Sequence, residues 1–280
     1  MSIKKEMIIT GSLRLSSHST LWDEVQNSLK QAQQKLQASG QYSDLDMDPL
    51  PLYRPKMHKI PSYSYLKHYH FYSPIALLLT GDHQEKVRSI AEQWVAVLKK
   101  PCCVEYIEVA DSGFINFFLH THSVLSRVEA ILQQGDVYYT RLSVTDDECV
   151  SMLSYAYVRT RDLLTQWLAS DANTISKYEN LCVLDNNVLT DLELSLIISL
   201  DRCAEQIKMA ALSMNRSCVV YELRSLACHL HDYYNRVNLV CEEPLRTARW
   251  CLLQAAYQIL RNGLHTLGIL DFESVQWQEK

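Results

Sequence analysis

The residues best suited to chemistry lie between Pro49 and Gly81, a segment that contains no acidic side chain. Its cations and aromatics are Arg54, Lys56, Lys59, Lys67, His58, His68, His70, Tyr53, Tyr63, Tyr65, Tyr69, Phe71 and Tyr72. Cations pair with phosphates and aromatic rings stack on bases, which is the combination that single-stranded or looped RNA requires. A tyrosine-rich loop packed on its own domain would give the same pattern, since basic patches are common on globular proteins. The segment therefore predicts either an RNA contact or a surface loop.

Other kinds of active site find little support in the sequence. The chain has only seven glycines and neither a GxGxxG nor a Walker A pattern, so no nucleotide cofactor is expected. His229 and His231 are two residues apart in a predicted helix, so their side chains point to different faces. This spacing argues against a metal ion shared between them. Nine cysteines occur without a CxxC pair or an export signal, and this predicts reduced thiols in a cytoplasmic protein. No apolar stretch approaches the roughly 20 residues of a membrane helix.

The charge distribution limits where an RNA-binding face can lie. A net charge of −5 argues against a protein that binds nucleic acid through the phosphate backbone alone. From Thr140 onward the cations are ten arginines and three lysines, against eighteen acidic residues. Arginine suits phosphate and base-edge recognition because its guanidinium is planar and forked. We therefore expect any RNA-binding face of this part to be concentrated on one side.

Local patterns predict a small mixed α/β domain over residues 1–139. A helix is expected over 20–38, because Thr20 is a favourable N-cap, and another over 87–99. Strands over 104–110 and 114–119 flank an Asp-Ser-Gly turn, which indicates a hairpin. A last helix, around 124–132, should end at a glycine.

The remainder, residues 145–272, shows no convincing strand and predicts an all-α bundle. Thr145 with Glu148, and Thr190 with Glu193, have the spacing of capping boxes. Apolar stripes at helical spacing follow within 196–214, 219–234 and 245–259. Gly263 is expected to end the last helix.

The bundle resembles the DALR-type anticodon-binding domain of arginyl-tRNA synthetases. The matching segments include Tyr155-Ala156-Tyr157-Val158-Arg159, Asn262-Gly263-Leu264 and Leu267-Gly268-Ile269. The first domain is similar to the additional N-terminal domain of the same synthetases, through Ile90-Ala91-Glu92 and Gly113-Phe114-Ile115-Asn116-Phe117. The resemblance implies an α+β chain, with an elbow-binding α/β domain followed by an anticodon-binding helical bundle.

The sequence departs from those synthetases where their chemistry is located. Only a few residues separate the two domains, whereas a synthetase has a Rossmann-type catalytic core there, and no HIGH-like or KMSKS-like motif is present. The methionine motif that follows Leu-Gly-Ile in those synthetases is replaced here by Asp271-Phe272-Glu273-Ser274. In the synthetases that tail lies beside the anticodon loop. The resemblance therefore predicts no catalytic residues and a protein that is not itself an enzyme.

The resemblance also implies which residues would touch tRNA. The expected contacts on the anticodon side are Tyr155, Arg159, Tyr234, Arg246 and Arg249. Those on the elbow side are Phe114, Asn116 and Phe118, joined by Arg54, Lys56 and Lys67. A continuous positive face is expected to connect the Arg54–Lys67 patch with Arg159 and Arg249. As alternatives, the tyrosines are core residues with bonded hydroxyls and Arg249 pairs with a carboxylate such as Glu222 or Asp232.

We expect a noncatalytic tRNA-binding protein that favours tRNA-Arg and presents it to a partner, such as a tRNA-modifying enzyme. Two alternatives stay open at this point. The chain could act in trans as an accessory of arginyl-tRNA aminoacylation, together with arginyl-tRNA synthetase. It could instead be a helical module that has lost RNA binding and docks a protein, which predicts an exposed apolar patch of several hundred Å².

Overall fold

A computed structural model describes residues 20–42, 47–53, 70–80, 86–137, 147–170, 189–213, 215–242 and 245–269. The first helix, α1 (Leu21–Ala38), begins at the predicted N-cap. The Thr20 hydroxyl accepts the Asp23 amide hydrogen, and the Asp23 carboxylate accepts that of Thr20, so two amides of the first turn are satisfied. The predicted capping box at Thr145 lies outside the described residues.

A three-stranded antiparallel sheet forms the centre of the first domain. β1 (Phe71–Ser73), β2 (Val104–Val109) and β3 (Ile115–Leu119) have the spatial order β1-β3-β2. The predicted hairpin between β2 and β3 is confirmed. β1 is not evident from the sequence, because three residues ahead of a proline are too few to show the alternation of a strand.

Helices α1, α2 (Ile75–Thr80) and α3 (Val87–Val97) complete the core of the first domain. Trp22 of α1 meets Phe71 edge to face, with ring centroids 5.5 Å apart, so α1 lies on the face of the sheet that Phe71 occupies. Phe71 and the Trp94 side chain of α3 are fully buried. One face of the sheet is therefore packed against helices.

The second part of the chain is the predicted helical bundle, in which we describe four helices. They are α5 (Asp147–Ser170), α6 (Asp191–Ser213), α7 (Arg216–Arg236) and α8 (Leu245–Thr266). The neighbouring pairs are α6 with α7, α5 with α8, α5 with α7, and α6 with α8, so the four helices form a square. The capping box predicted at Thr190 is confirmed, since the Glu193 carboxylate accepts the amide hydrogen of Thr190 and the Thr190 hydroxyl accepts that of Glu193.

Helix α4 (Thr121–Gln134) joins the sheet domain to the bundle. It packs on α6 and α8, so the side of the square formed by α5 and α7 is the one opposite to α4. The Asp201 carboxylate of α6 accepts a hydrogen bond from the Leu21 amide at 2.9 Å and one from Arg127 Nε of α4 at 2.6 Å. One turn further along α4, Gln258 of α8 donates to the Ile131 carbonyl at 2.8 Å. The domains therefore share a packed and hydrogen-bonded junction.

The last helix continues beyond the predicted stop. Gly263 lies inside α8, and the helix runs on to Thr266. Gly268, not Gly263, has the positive φ typical of a residue that ends a helix. Gly263 instead allows α8 to approach Leu223 of α7, because a Cβ at this position would lie 2.6 Å from both Leu223 methyl carbons.

Gly263→Ala is therefore expected to lower the free energy of unfolding by about 1–3 kcal/mol through overpacking. Helix propensity alone would favour alanine, so a loss of stability would show that the close approach dominates. Urea unfolding measures the change, and Gly263→Ala combined with Leu223→Ala is the control, since the second substitution removes the clashing methyl groups. A single variant that is as stable as the wild type would contradict the prediction.

Candidate nucleic-acid interface

Three residues expected on the anticodon side gather on the bundle face opposite to α4. Tyr155 and Arg159 stand four residues apart on α5 and therefore share one side of that helix. Tyr155 is 60% exposed and Arg159 is exposed. Tyr234 of α7 lies close enough to both side chains for them to influence its hydroxyl. We call these three residues the α5–α7 seam.

Tyr234 is held in place by a hydrogen bond across the seam. Its hydroxyl is bonded to the buried Thr160 hydroxyl of α5, which is itself bonded to the Ala156 carbonyl. Burial raises the pKa of Tyr234 to about 12, although the Thr160 bond and the positive charge of Arg159 act in the opposite direction. The phenol is therefore neutral at physiological pH, and its position is fixed beside the exposed Tyr155 ring.

The raised pKa of Tyr234 predicts a loss of stability at alkaline pH. Because the folded pKa is above the ordinary value of 10.0, the stabilising contribution is complete below pH 10 and is lost as pH rises toward 12. Between pH 9 and pH 11 the wild type should lose about 1.4 kcal/mol relative to Tyr234→Phe. Urea unfolding of both proteins at the two pH values measures this difference, and parallel pH profiles would contradict the assignment.

The other two arginines expected on the anticodon side have different surroundings. Arg246 is half-buried in the first turn of α8. Arg249 is buried, its Nε donates to Glu193 Oε1 at 2.7 Å, and its Nη1 donates to the Asn238 carbonyl. A guanidinium bonded in this way is not presented to a ligand, so the structure does not place Arg249 on the expected continuous positive face.

The alternative prediction, that Arg249 pairs with a carboxylate of the protein, is confirmed, but its partner is neither of the two residues suggested. The carboxylate is that of Glu193, which the capping box places at the start of α6, and not Glu222 or Asp232. Glu222 instead pairs with Arg202 of α6 at 3.0 Å. The sequence identified Glu193 as a capping residue but could not show that its second carboxylate oxygen faces α8.

The residues expected on the elbow side lie on the sheet face opposite to Phe71 and Phe117. Asn116 and Phe118 alternate along β3, and Phe114 immediately precedes the strand. Phe114 meets Tyr72 of β1 edge to face at 5.4 Å, and Phe118 stacks on Tyr106 of β2 at 4.1 Å. Tyr72 and Tyr106 are partners that sequence reasoning missed, although Tyr72 belongs to the aromatic segment it singled out. Arg54, Lys56 and Lys67 lie outside the described residues.

Asn116 is a buried polar residue of this face, and the exposed Glu108 of β2 is paired directly opposite to it. Asn116 is 7% exposed, and its carbonyl oxygen Oδ1 is buried without a hydrogen-bond partner. Burial of an asparagine oxygen without a hydrogen-bond partner costs free energy, and Oδ1 of Asn116 is in this situation. An unpaired acceptor among aromatic rings is suited to a ligand that brings both a donor and a flat face.

In the part of the chain that the structure describes, no group of three or more histidine, cysteine or acidic side chains is arranged to hold a metal ion. Within the same ranges, no helix is long and apolar enough to cross a membrane.

Comparison with known protein families matches both parts of the chain. Residues 23–119 match the model of the arginyl tRNA synthetase N terminal domain, and residues 153–274 match that of the DALR anticodon binding domain. This is an arginyl-tRNA synthetase-like protein. The matches are separated by residues 120–152, a stretch shorter than the roughly 50 residues of a small domain. α4, the junction helix, lies in this stretch, so no catalytic core is inserted between the two matched domains.

Relatives of the chain include proteins named Arginine--tRNA ligase. That of Legionella pneumophila (strain Corby) is 38% identical over 138 residues, which is 48% of this chain and 22% of that protein. Those of Janthinobacterium sp. (strain Marseille) and Coxiella burnetii (strain RSA 331 / Henzerling II) are 34% and 33% identical over 130 residues. Their alignments cover 46% and 45% of this chain, and 22% of each relative.

Proposed function

We propose that this arginyl-tRNA synthetase-like protein binds tRNA, favours tRNA-Arg, and presents it to a partner enzyme without catalysing a reaction itself. The observation that carries the proposal is the α5–α7 seam, in which an exposed tyrosine, an exposed arginine and a fixed phenol lie together on a domain that matches an anticodon-binding family. Aromatic rings and guanidinium groups are the side chains on which the splayed bases of an RNA loop stack.

The sheet supports a second contact, with the elbow of tRNA. Phe114 is half-buried and offers a ring, while the unpaired Asn116 carbonyl oxygen is buried and could accept from a base N–H once a neighbouring side chain moves aside. A donor that fills a buried and unpaired acceptor removes a desolvation penalty of about 1–3 kcal/mol. Together these features suit an unstacked base and are the reason to assign the face to tRNA.

The proposal that the chain is noncatalytic rests on what aminoacylation requires. Formation of an aminoacyl-adenylate needs preorganised positive charge around a triphosphate and a pocket for the amino acid. Both matched segments belong to binding domains, and the stretch between them, residues 120–152, contains the junction helix. Transfer of the bound tRNA to a partner, either a modifying enzyme or the synthetase, would supply the chemistry.

A titration with labelled tRNA-Arg and with an unrelated tRNA, across a salt series, tests the proposal. The wild type should bind tRNA-Arg more tightly, with an affinity that falls as salt rises. Tyr155→Ala should weaken tRNA-Arg binding by about 5- to 100-fold if one base stacks on the ring. Met209→Ala serves as the control, because it truncates an exposed side chain of α6 that lies outside the seam.

The same titration separates the alternatives. Absence of binding at low salt would contradict the proposal and favour the alternative in which the bundle docks a protein. Equal affinity for both tRNAs would remove the preference for tRNA-Arg and leave general tRNA binding. A separate aminoacylation assay tests the accessory role, because stimulation of arginyl-tRNA formation when the protein is added to the synthetase would identify an aminoacylation accessory.

A further inference from the structure

Helix α7 carries an exposed stripe of residues, and none of them belongs to the tRNA contact proposed above. Its members recur every three or four residues, which is the spacing of one face of a helix. They are Ser217, Tyr221, Arg224, Cys228, His231 and Asn235, all of them exposed. Tyr221 is 68% exposed, a large fraction for an aromatic side chain. We call these six residues the α7 stripe.

The α7 stripe faces away from the bundle core, between the seam and the α6 side of the helix. Successive residues turn by about 100°, so Arg224 lies about 80° around the helix from Tyr234, which bonds to α5. Cys218 and Glu222 mark the opposite direction, because both are bonded to side chains of α6. Arg224 therefore lies on the seam side of the stripe, whereas Tyr221, about 140° from Tyr234 and about 60° from Cys218, lies at its α6 edge.

The charges along α7 suit a polyanion. The cations of this helix are Arg216, Arg224 and Arg236, and its acidic residues are Glu222 and Asp232. Glu222 is buried, and its charge is balanced by Arg202 of α6. Arg224 is thus an exposed cation within the stripe, three residues from the exposed Tyr221 ring.

Distance determines which part of an RNA the stripe would meet. Arg224 precedes Tyr234 by ten residues, which is about 15 Å along the helix axis. Phosphates of one strand in an A-form RNA stem rise by somewhat less than the roughly 3.4 Å of DNA, so this length corresponds to about five nucleotides. An RNA whose loop bases occupy the seam would consequently place the backbone of its adjoining stem over Arg224.

We propose that Arg224 and Tyr221 form a second contact that holds the stem backbone next to the loop bound at the seam. Arg224 pairs with a phosphate, and Tyr221, one turn further along, packs its ring against the neighbouring sugar. The contact adds affinity without reading sequence, because phosphate and sugar are the same at every position. This inference rests on the proposed tRNA binding and extends it to the residues of α7.

Salt-dependent binding of four proteins tests the inference: the wild type, Arg224→Gln, Tyr221→Ser and Arg236→Gln. Arg236 is the matched control, since it is an exposed arginine of the same helix that lies about 160° around the axis from Tyr234, on the side of Cys218. Arg224→Gln should weaken binding of tRNA-Arg and of an unrelated tRNA by a similar factor, about tenfold. It should also reduce the slope of log K against log salt by about 0.7–0.9, the value for one phosphate contact.

A second pair of ligands locates the contact. Arg224→Gln and Tyr221→Ser should both weaken binding of a hairpin that contains the anticodon stem and loop. Neither should change binding of the loop sequence alone as a short single strand. Arg236→Gln should behave as the wild type with both ligands.

The outcomes distinguish this inference from the function on which it rests. If the wild type binds no tRNA, the proposed function and the inference fall together. If the wild type binds and Arg224→Gln retains its affinity and salt slope, the α7 contact is overturned while the proposed function stands. An equal loss in Arg236→Gln would also overturn it, because the effect would then reflect net charge and not a site.

Discussion

Replacement of Arg249 by alanine is expected to lower the free energy of unfolding by about 3–5 kcal/mol, because it leaves a buried carboxylate without its counter-charge. Glu193 is fully buried, and Arg249 Nε lies 2.7 Å from its Oε1. Burial alone would lower the pKa of Arg249, but its hydrogen bond to Glu193 and the charge of that residue raise the pKa above its ordinary value. The other Glu193 oxygen accepts from Thr190, so the same carboxylate caps α6 and anchors α8.

Urea unfolding with two companion variants identifies the cause of that loss. Arg202→Ala breaks the less buried pair with Glu222 and should cost less, since Arg202 is 33% exposed. Arg249→Met combined with Glu193→Leu removes both charges and should recover much of the stability. A single variant within about 1 kcal/mol of the wild type would contradict a structural role for the pair.

The Arg249→Met and Glu193→Leu double variant also tests the sequence-derived role of Arg249 in tRNA binding. It should fold and bind tRNA-Arg as the wild type does, because the buried guanidinium is already bonded within the protein. A selective loss of affinity in this folded variant would return Arg249 to the tRNA-binding residues.

The features that the sequence predicts correctly depend on neighbouring residues. Capping at Thr20 and Thr190 is decided within four residues, and the stripes of the bundle helices follow from regular spacing. Tyr155 and Arg159 share a side of α5 for the same local reason. Their approach to Tyr234 was predictable only through resemblance to a family, because α7 lies far away in the sequence.

The features that the sequence does not reveal depend on distant contacts. Gly263 reads as a helix stop, but the close approach of Leu223 is what makes a glycine suitable there. Arg249 could have paired with several carboxylates, and only the packing of α8 on α6 selects Glu193. The junction of α4 with α6 and α8 is likewise invisible, since a surface helix and a junction helix both show one apolar stripe.

Asp201→Ala is expected to lower the free energy of unfolding by about 3–5 kcal/mol, because the Asp201 carboxylate joins the two domains at one point. It accepts hydrogen bonds from the Leu21 amide at the start of α1 and from Arg127 of α4. Asp201→Asn should cost much less. The asparagine carbonyl still accepts from Leu21, and Arg127, at 18% exposure, can be partly hydrated.

The dependence of this junction on pH follows from the pKa of Asp201. Burial raises that pKa above its ordinary value, although Arg127 and the Leu21 amide oppose the shift. A raised folded pKa means that protonation favours the folded state. The stability of the wild type relative to Asp201→Asn should therefore increase as pH falls through the raised pKa toward about 3.9, the ordinary aspartate value.

Hydrogen exchange of the Leu21 amide gives a local reading of the same junction. In Asp201→Ala that amide loses its acceptor and should exchange faster than in Asp201→Asn, while amides inside α7 should change only with global stability. A Leu21 amide that exchanges equally slowly in both variants would show that packing of α4 on α6 and α8, and not the carboxylate, joins the domains. The orientation of the sheet relative to the seam would then depend on apolar contacts alone.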